Sequence, residues 1–192
     1  MKVPVLLIFC AILILSLTNQ GFALQANNSR IDALTRNADV YARQGNYAIA
    51  FQLYEQAIRM APANIGLYYQ RAGLYGKAGY YPNAIKDLNR VIQTAPQQFS
   101  HAVRFRADAF MALGYHQKAS QDYMLFLRNA SKDGKVWSYL AEAYALQGQK
   151  QKALEAVRHG LAAGSHWSGR LKTLQMQILS GQKITPHKPF SN

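Results

Sequence analysis

Cysteine is almost missing from this chain. One of 192 residues, Cys10, carries a thiol, which excludes a disulfide framework and any cysteine-based zinc site. Acidic side chains are also few, 9 against 22 Lys and Arg, for a formal charge of +13, so general acid–base chemistry has little to draw on. No His-Glu-x-x-His sequence occurs, and neither a glycine-rich phosphate loop with its lysine nor a Gly-x-Ser-x-Gly nucleophile turn is present. The histidines are 101, 116, 159, 166 and 187. His159 and His166 are interrupted by Gly160 and Gly164, which spoils a shared rigid helix face, and no third ligand stands beside them. His116 falls near a predicted turn and reads as a surface residue. The expectation is a protein that is not an enzyme and carries no metal or cofactor. What the chain does have is apolar: 49% hydrophobic and 11% aromatic residues, too much for a disordered basic tail and enough for one compact domain or a short repeat array.

Residues 1–23 read as an export segment. Lys2 is the sole charge before Arg30, Val3 to Leu17 is almost wholly aliphatic, and Gly21-Phe22-Ala23 puts small residues where a signal peptidase inspects the chain. The apolar run of about 15 residues is shorter than the ~20 that span a bilayer. Cleavage after Ala23 is expected, with retention as an anchor the alternative. Cys10 sits mid-run, whereas a lipid-modified cysteine ends one. Cleavage would leave a chain without cysteine, suited to an oxidising compartment. The localisation read from this is periplasmic or secreted, or membrane-anchored if the segment stays.

The remainder repeats. Glycines at 45, 79, 114 and 148 are spaced by 34, 35 and 34, and each is followed five residues later by Ala50, Ala84, Ala119 or Ala153. Periods of this size mark helical-hairpin arrays. Leu34, Ala38 and Tyr41 share a helix face, Gly45 ends that helix, and a second helix runs from Tyr47 to Met60 before Pro62. Tyr68, Ala72, Tyr75 and Gly79, then Ala84, Ile85, Leu88, Val91 and Ile92 before Pro96, repeat the plan. The small residues at 50, 84, 119 and 153 let two antiparallel helices approach closely.

This pattern resembles the tetratricopeptide repeat family. The matching residues are Tyr41, Gly45, Tyr47, Ala50, Tyr54, Ala57 and Pro62 in the first repeat, and Tyr68, Ala72, Tyr75, Gly79, Tyr81, Ala84 and Pro96 in the second. The third matches at Ala107, Phe110, Gly114, Ala119 and Tyr123; the fourth at Trp137, Leu140, Ala141, Tyr144, Gly148, Ala153 and Leu161. Phe126 and Gly160 depart from the usual alanine, and neither of the last two repeats ends in proline. The resemblance implies an all-α, right-handed superhelical solenoid of antiparallel helix pairs. Its repeats would cover about 31–64, 65–98, 100–133 and 134–167, after a short leader over 24–30. Leu171, Leu174, Ile178 and Leu179 lie at helical spacing in a capping helix over 169–180, and 181–192 reads as an irregular basic tail.

Charge is unevenly spread. Residues 31–64 are net 0, 65–99 net +3, 100–133 and 134–167 net +2 each, and 168–192 net +4. Arg71 and Arg106 occupy one repeat position, and in the same two repeats the second helix carries Asp87 and Asp122, which suggests an Arg–Asp pair across each hairpin. The resemblance implies that first helices line a concave groove. The lining residues would then be Arg36, Asp39 and Arg43; Tyr69, Gln70, Gly73 and Lys77; His101, Arg104, Phe105 and Asp108; and Lys135, Tyr139 and Glu142. Gly73 and Gly76 leave space there, which either admits a peptide or reflects local loosening. One specialised form of the family clamps a terminal carboxylate between Lys/Arg and Asn; Thr35, Asp39 and Tyr69 stand in those places, so that activity is not carried over.

The function implied is a non-catalytic protein–protein interaction scaffold in the cell envelope or secreted space. Its partner would be an unidentified protein or peptide, with acidic patches favoured by the basic charge. A membrane-tethered assembly factor, or an auxiliary subunit of an envelope enzyme complex, is the alternative. Peripheral contact with an acidic membrane is open to the +4 segment. Nucleic acid is not expected, because Tyr68, Tyr81 and Arg71 are taken up by repeat packing.

Overall fold

The computed structural model describes residues 5–164, 166–188 and 190, with side chains from Gln20 onward. The Cys10 thiol and the whole apolar run from Val3 to Leu17 therefore lie outside the described side chains, as do Pro189, Ser191 and Asn192 of the expected tail. Among the described residues every regular element is an α-helix, and no helix is long and apolar enough to cross a membrane. The chain divides into two compact units, Met1–Asn64 and Ile65–Asn192.

The first unit is α1 (Val5–Arg43) packed on α2 (Tyr47–Met60). The leader expected over 24–30 is part of α1, which continues unbroken because no proline occurs between Pro4 and Pro62. Gly45, at φ +80°, makes the turn in the left-handed region where a Cβ is strained. The hairpin then closes over Ile31, Ala38, Ala50, Tyr54, Ala57 and Ile58, all buried. Tyr41, expected on the same face as Leu34 and Ala38, is 36% exposed beside the hairpin turn.

The second unit contains α3 (Ile65–Lys77), α4 (Tyr81–Thr94), α5 (His101–Ala112), α6 (His116–Leu127), α7 (Gly134–Leu146), α8 (Lys150–Ala162) and α9 (Ser168–Ser180). They form three successive hairpins, α3/α4, α5/α6 and α7/α8, stacked through α4 on α5 and α6 on α7, with α9 laid against α7 and α8. Gly79, Gly114 and Gly148 turn the three hairpins at φ +82°, +77° and +74°. Pro82 sits in the first turn of α4, where its missing N–H is not needed, and Asp133 caps α7 by accepting from the Val136 amide at 3.1 Å.

Ala84, Ala119 and Ala153 are fully buried in the hairpin seams. A continuous core runs from Ala107 and Met111 through Tyr123, Val136, Leu140 and Val157 to Leu171, Leu174 and Ile178. Thus α9 covers the apolar face that α7 and α8 would otherwise leave wet. Leu179, grouped with that face in the sequence reading, is 55% exposed instead. Gly160 is closely packed: a Cβ there would press at 2.9 Å on both Leu171 and Trp137. The glycine that departs from the usual alanine is thus the one that lets α9 close.

Among the described residues two partly buried ion pairs cross the hairpins. Arg71 Nε and Nη2 donate to Asp87 Oδ2 and Oδ1 at 2.8 and 2.9 Å. Arg106 repeats this fork on Asp122 at 2.7 and 2.8 Å, and its Nη1 donates to Asn89 Oδ1 at 2.7 Å.

Candidate functional site

The residues expected to line a groove divide between the two units. In the first, Arg36, Asp39 and Arg43 are exposed on α1. Arg43 Nε donates to the Asp39 carbonyl at 3.2 Å, and Asp39 Oδ1 accepts from the Tyr54 hydroxyl at 3.1 Å. Burial, followed by the Asp39 charge and this hydrogen bond, holds the Tyr54 phenol well above its ordinary range.

In the second unit the first helices α3, α5 and α7 present the remaining residues. Gln70, Lys77 and His101 are exposed, and His101 leans on Phe126 with ring centroids 5.3 Å apart. Tyr69 packs between Phe99 and Phe105, at 5.0 and 5.7 Å. The Arg104 guanidinium lies 4.4 Å over the Phe105 ring. Lys135 reaches over the rings of Tyr139 and Trp167. Three residues depart from the expectation of exposed inner-surface positions: Asp108, Tyr139 and Glu142 are 2%, 3% and 0% exposed.

They are buried because the chain covers them. After α9, residues 181–188 and 190 turn back without regular structure, and the described part of the irregular tail expected from sequence lies across the face of α7, α5 and α3. Ile184 packs against the core. The His187 ring lies flat on Tyr139, centroids 3.5 Å apart and planes 11° from parallel. Phe190 stacks against Tyr81 and Phe105 at 6.2 and 5.9 Å. Any Cβ at position 76 would fall within the Phe190 ring, so Gly76 is the seat of that ring. Gly73 has open space around it.

The polar groups under His187 are fully engaged. Asp108 Oδ2 accepts from Arg104 Nη1 at 3.2 Å, and Oδ1 accepts from the Tyr123 hydroxyl at 2.7 Å. Glu142 Oε1 accepts from Arg170 Nε at 3.1 Å and also from Nη2. Glu142 Oε2 faces the segment, 2.9 Å from the His187 amide and 2.8 Å from His187 Nδ1. His187 Nε2 lies 3.3 Å from the Tyr123 hydroxyl and 3.6 Å from Asp108 Oδ1. Burial and neighbouring carboxylates push the Tyr123 phenol far up; Tyr139 also rises through burial and Asp108, against Arg104. Among the described residues no group of three His, Cys, Asp or Glu could hold a metal ion.

Sequence reasoning missed His187 and the Tyr123–Asp108 bond. The second had a signal: Asp39 with Tyr54 and Asp108 with Tyr123 share one spacing, whereas Gly73 with Leu88 and Glu142 with Val157 replace both members together. A separate cleft of about 410 Å³ opens among α6, α7 and α8, lined by Trp137, Tyr144, Lys152, Glu155 and His159 among others. None of the expected groove residues lines it.

Comparison with known proteins gives the same architecture. A family model for the tetratricopeptide repeat matches residues 31–64 and 65–98. The chain is 29% identical over 166 residues to the tetratricopeptide repeat and J domain-containing co-chaperone DNJ1 of Cryptococcus neoformans, covering 82% of this chain and 31% of that protein. It is 30% identical over 151 residues to serine/threonine-protein phosphatase 5 of Homo sapiens, covering 79% of this chain and 29% of the phosphatase. The chain thus spans about a third of the length of these curated relatives. Among solved structures, a MamA protein superposes with a TM-score of 0.64 at 15% identity, covering 85% of this chain and 83% of that one. A tetratricopeptide repeat protein in Thermus thermophilus superposes at 0.57 and 18% identity, covering 79% and 82%. Proteins with these repeats generally mediate protein–protein interaction. Residues 31–64 and 65–98 thus match the tetratricopeptide repeat model, and the fold is all-α and TPR-like.

Proposed function

We propose that this protein is a non-catalytic interaction module whose second unit holds an extended peptide or protein segment across α3, α5 and α7. One observation carries the reading: that surface already accommodates an irregular stretch of chain, residues 183–188 and 190, with separate seats for the His187 and Phe190 rings. A preformed surface with aromatic walls and a few fixed polar groups is what peptide recognition needs. Its partner feels two electrostatic influences. The +13 net charge attracts acidic surfaces at long range, while the Asp108–Glu142 floor selects a basic group at contact.

The test is site-specific photo-crosslinking. A photoreactive side chain at Gln70 or Lys77, both exposed on α3, is expected to give adducts that mass spectrometry maps to short, extended partner segments. The same group at Lys118 on α6 is expected to give none. Adducts from position 118 with none from 70 or 77 would contradict the assignment. We also place the module outside the cytoplasm, on the strength of Lys2, the aliphatic run and Gly21-Phe22-Ala23. N-terminal sequencing should find a start at Leu24; a start at Met1 in exported material means an anchor, and an intact chain confined to the cytoplasm removes the proposal.

A further inference from the structure

The pocket beneath His187 has a chemical preference that follows from where its hydrogens are. Asp108 and Glu142 each spend one oxygen on an arginine of the protein, Arg104 and Arg170, and turn the other toward the ring. The Tyr123 hydroxyl has already donated its proton to Asp108 Oδ1, so toward His187 it offers only a lone pair. Both ring nitrogens therefore look at acceptors: Nδ1 at Glu142 Oε2, Nε2 at the Tyr123 oxygen and Asp108 Oδ1. A neutral imidazole has one N–H and one lone pair, and whichever tautomer it took, a lone pair would face an acceptor. The imidazolium alone satisfies both sides. Tyr139 supplies a π-face for that cation at 3.5 Å. The ring is closed in, with 6% of the side chain exposed. Three residues further on, Phe190 fills the notch that Gly76 leaves between Tyr81 and Phe105.

We propose that Asp108, Tyr123, Tyr139 and Glu142 form a recognition site for a histidine in its protonated form, followed three residues later by an aromatic ring seated at Gly76. The chain's own His187 and Phe190 fill the site in cis, and a partner segment with the same His-x-x-aromatic spacing displaces them. The inference rests on the peptide-binding reading above and narrows it to a ligand class. Lysine is a poor substitute, because a point charge on a flexible stem cannot present two in-plane donors to carboxylates on opposite sides of a ring-shaped slot. The groups facing the ring are Asp108 from α5, Tyr123 from α6, and Tyr139 and Glu142 from α7, while Arg104 from α5, Lys135 from α7 and Arg170 from α9 stand on Asp108, the Tyr139 ring and Glu142. Among these, the His187 imidazole is raised above its ordinary value: burial opposes the charge, and the Asp108 and Glu142 carboxylates overcome it.

The experiment uses the full chain carrying His187→Ala and Phe190→Ala, which vacates the site. A fluorescent peptide with the sequence of residues 183–190 is titrated in by anisotropy at pH 6 and pH 8, beside a copy with glutamine for histidine and one with lysine for histidine. The native peptide is expected to bind at least ten-fold more tightly than either copy, more tightly at pH 6 than at pH 8, and at least ten-fold more weakly to the unsubstituted chain, whose own segment competes. Equal binding of all three peptides overturns the imidazole site while leaving a peptide-binding surface in place. Absence of binding by any of them overturns the site, and the crosslinking at positions 70 and 77 then decides the broader reading separately. Should the double variant fail to fold, His187→Gln in the full chain, which leaves Phe190 in its seat, is used with the same peptides and the same criteria.

Discussion

At the scale of single residues, the repeats vary by exchanging bonded pairs. Arg71 and Asp87, like Arg106 and Asp122, are present or absent together, because a buried aspartate without its arginine is a stranded charge. With Asp87 4% exposed, Arg71→Ala is expected to cost about 3 kcal/mol in urea unfolding. The apolar pair Arg71→Met with Asp87→Leu should regain most of that loss; a double variant no more stable than Arg71→Ala alone would contradict the pairing. These pairs were legible because joint substitution leaves a mark in one sequence when the sequence contains copies of itself. The Tyr123–Asp108 bond leaves the same mark. His187 left none, since no other repeat has an equivalent for a residue that lies beyond the last hairpin.

At the scale of helices, spacing carried most of the information. The glycine-to-alanine interval located every hairpin turn, and the bounds of α2 follow from Tyr47 and Pro62. What period could not convey is where a helix continues past the pattern, as α1 does through 24–30, or where a helix end lifts an apolar residue into solvent, as at Tyr41 and Leu179. Ala84→Leu, in the seam of α3 and α4, is expected to overpack it by about 1–3 kcal/mol; an unchanged melting profile would place that side chain elsewhere. Two glycines of α3 make a sharper comparison. Gly73→Ala adds a methyl to open space and should stabilise by up to ~1 kcal/mol through helix propensity. Gly76→Ala brings the same propensity but unseats Phe190, so limited proteolysis should cut the 181–190 segment faster in that variant alone. Equal cutting rates would mean that Phe190 does not sit at position 76.

At the scale of the molecule, the covered surface explains why three expected lining residues are buried: Asp108, Tyr139 and Glu142 lie under a returning segment whose docking no helical period records. Charge behaves likewise, since net charge gives a long-range preference but not the acidic pocket within a basic protein. The pocket also makes attachment of residues 181–190 depend on pH. Because the docked imidazole titrates above the free value of about 6.5, its contribution is complete below that pH and disappears as pH rises through the docked value. Amide-exchange protection around His187 should therefore fall from pH 6 to pH 9, and the dependence should be lost in His187→Gln. The most direct measurement is nitrogen-resolved NMR of the His187 side chain in the intact protein at pH 6.5. The account predicts two protonated ring nitrogens, ring protons shifted upfield by Tyr139, and cross-relaxation between the two rings. A freely titrating imidazole with a midpoint near 6.5 and no contact to Tyr139 would contradict it.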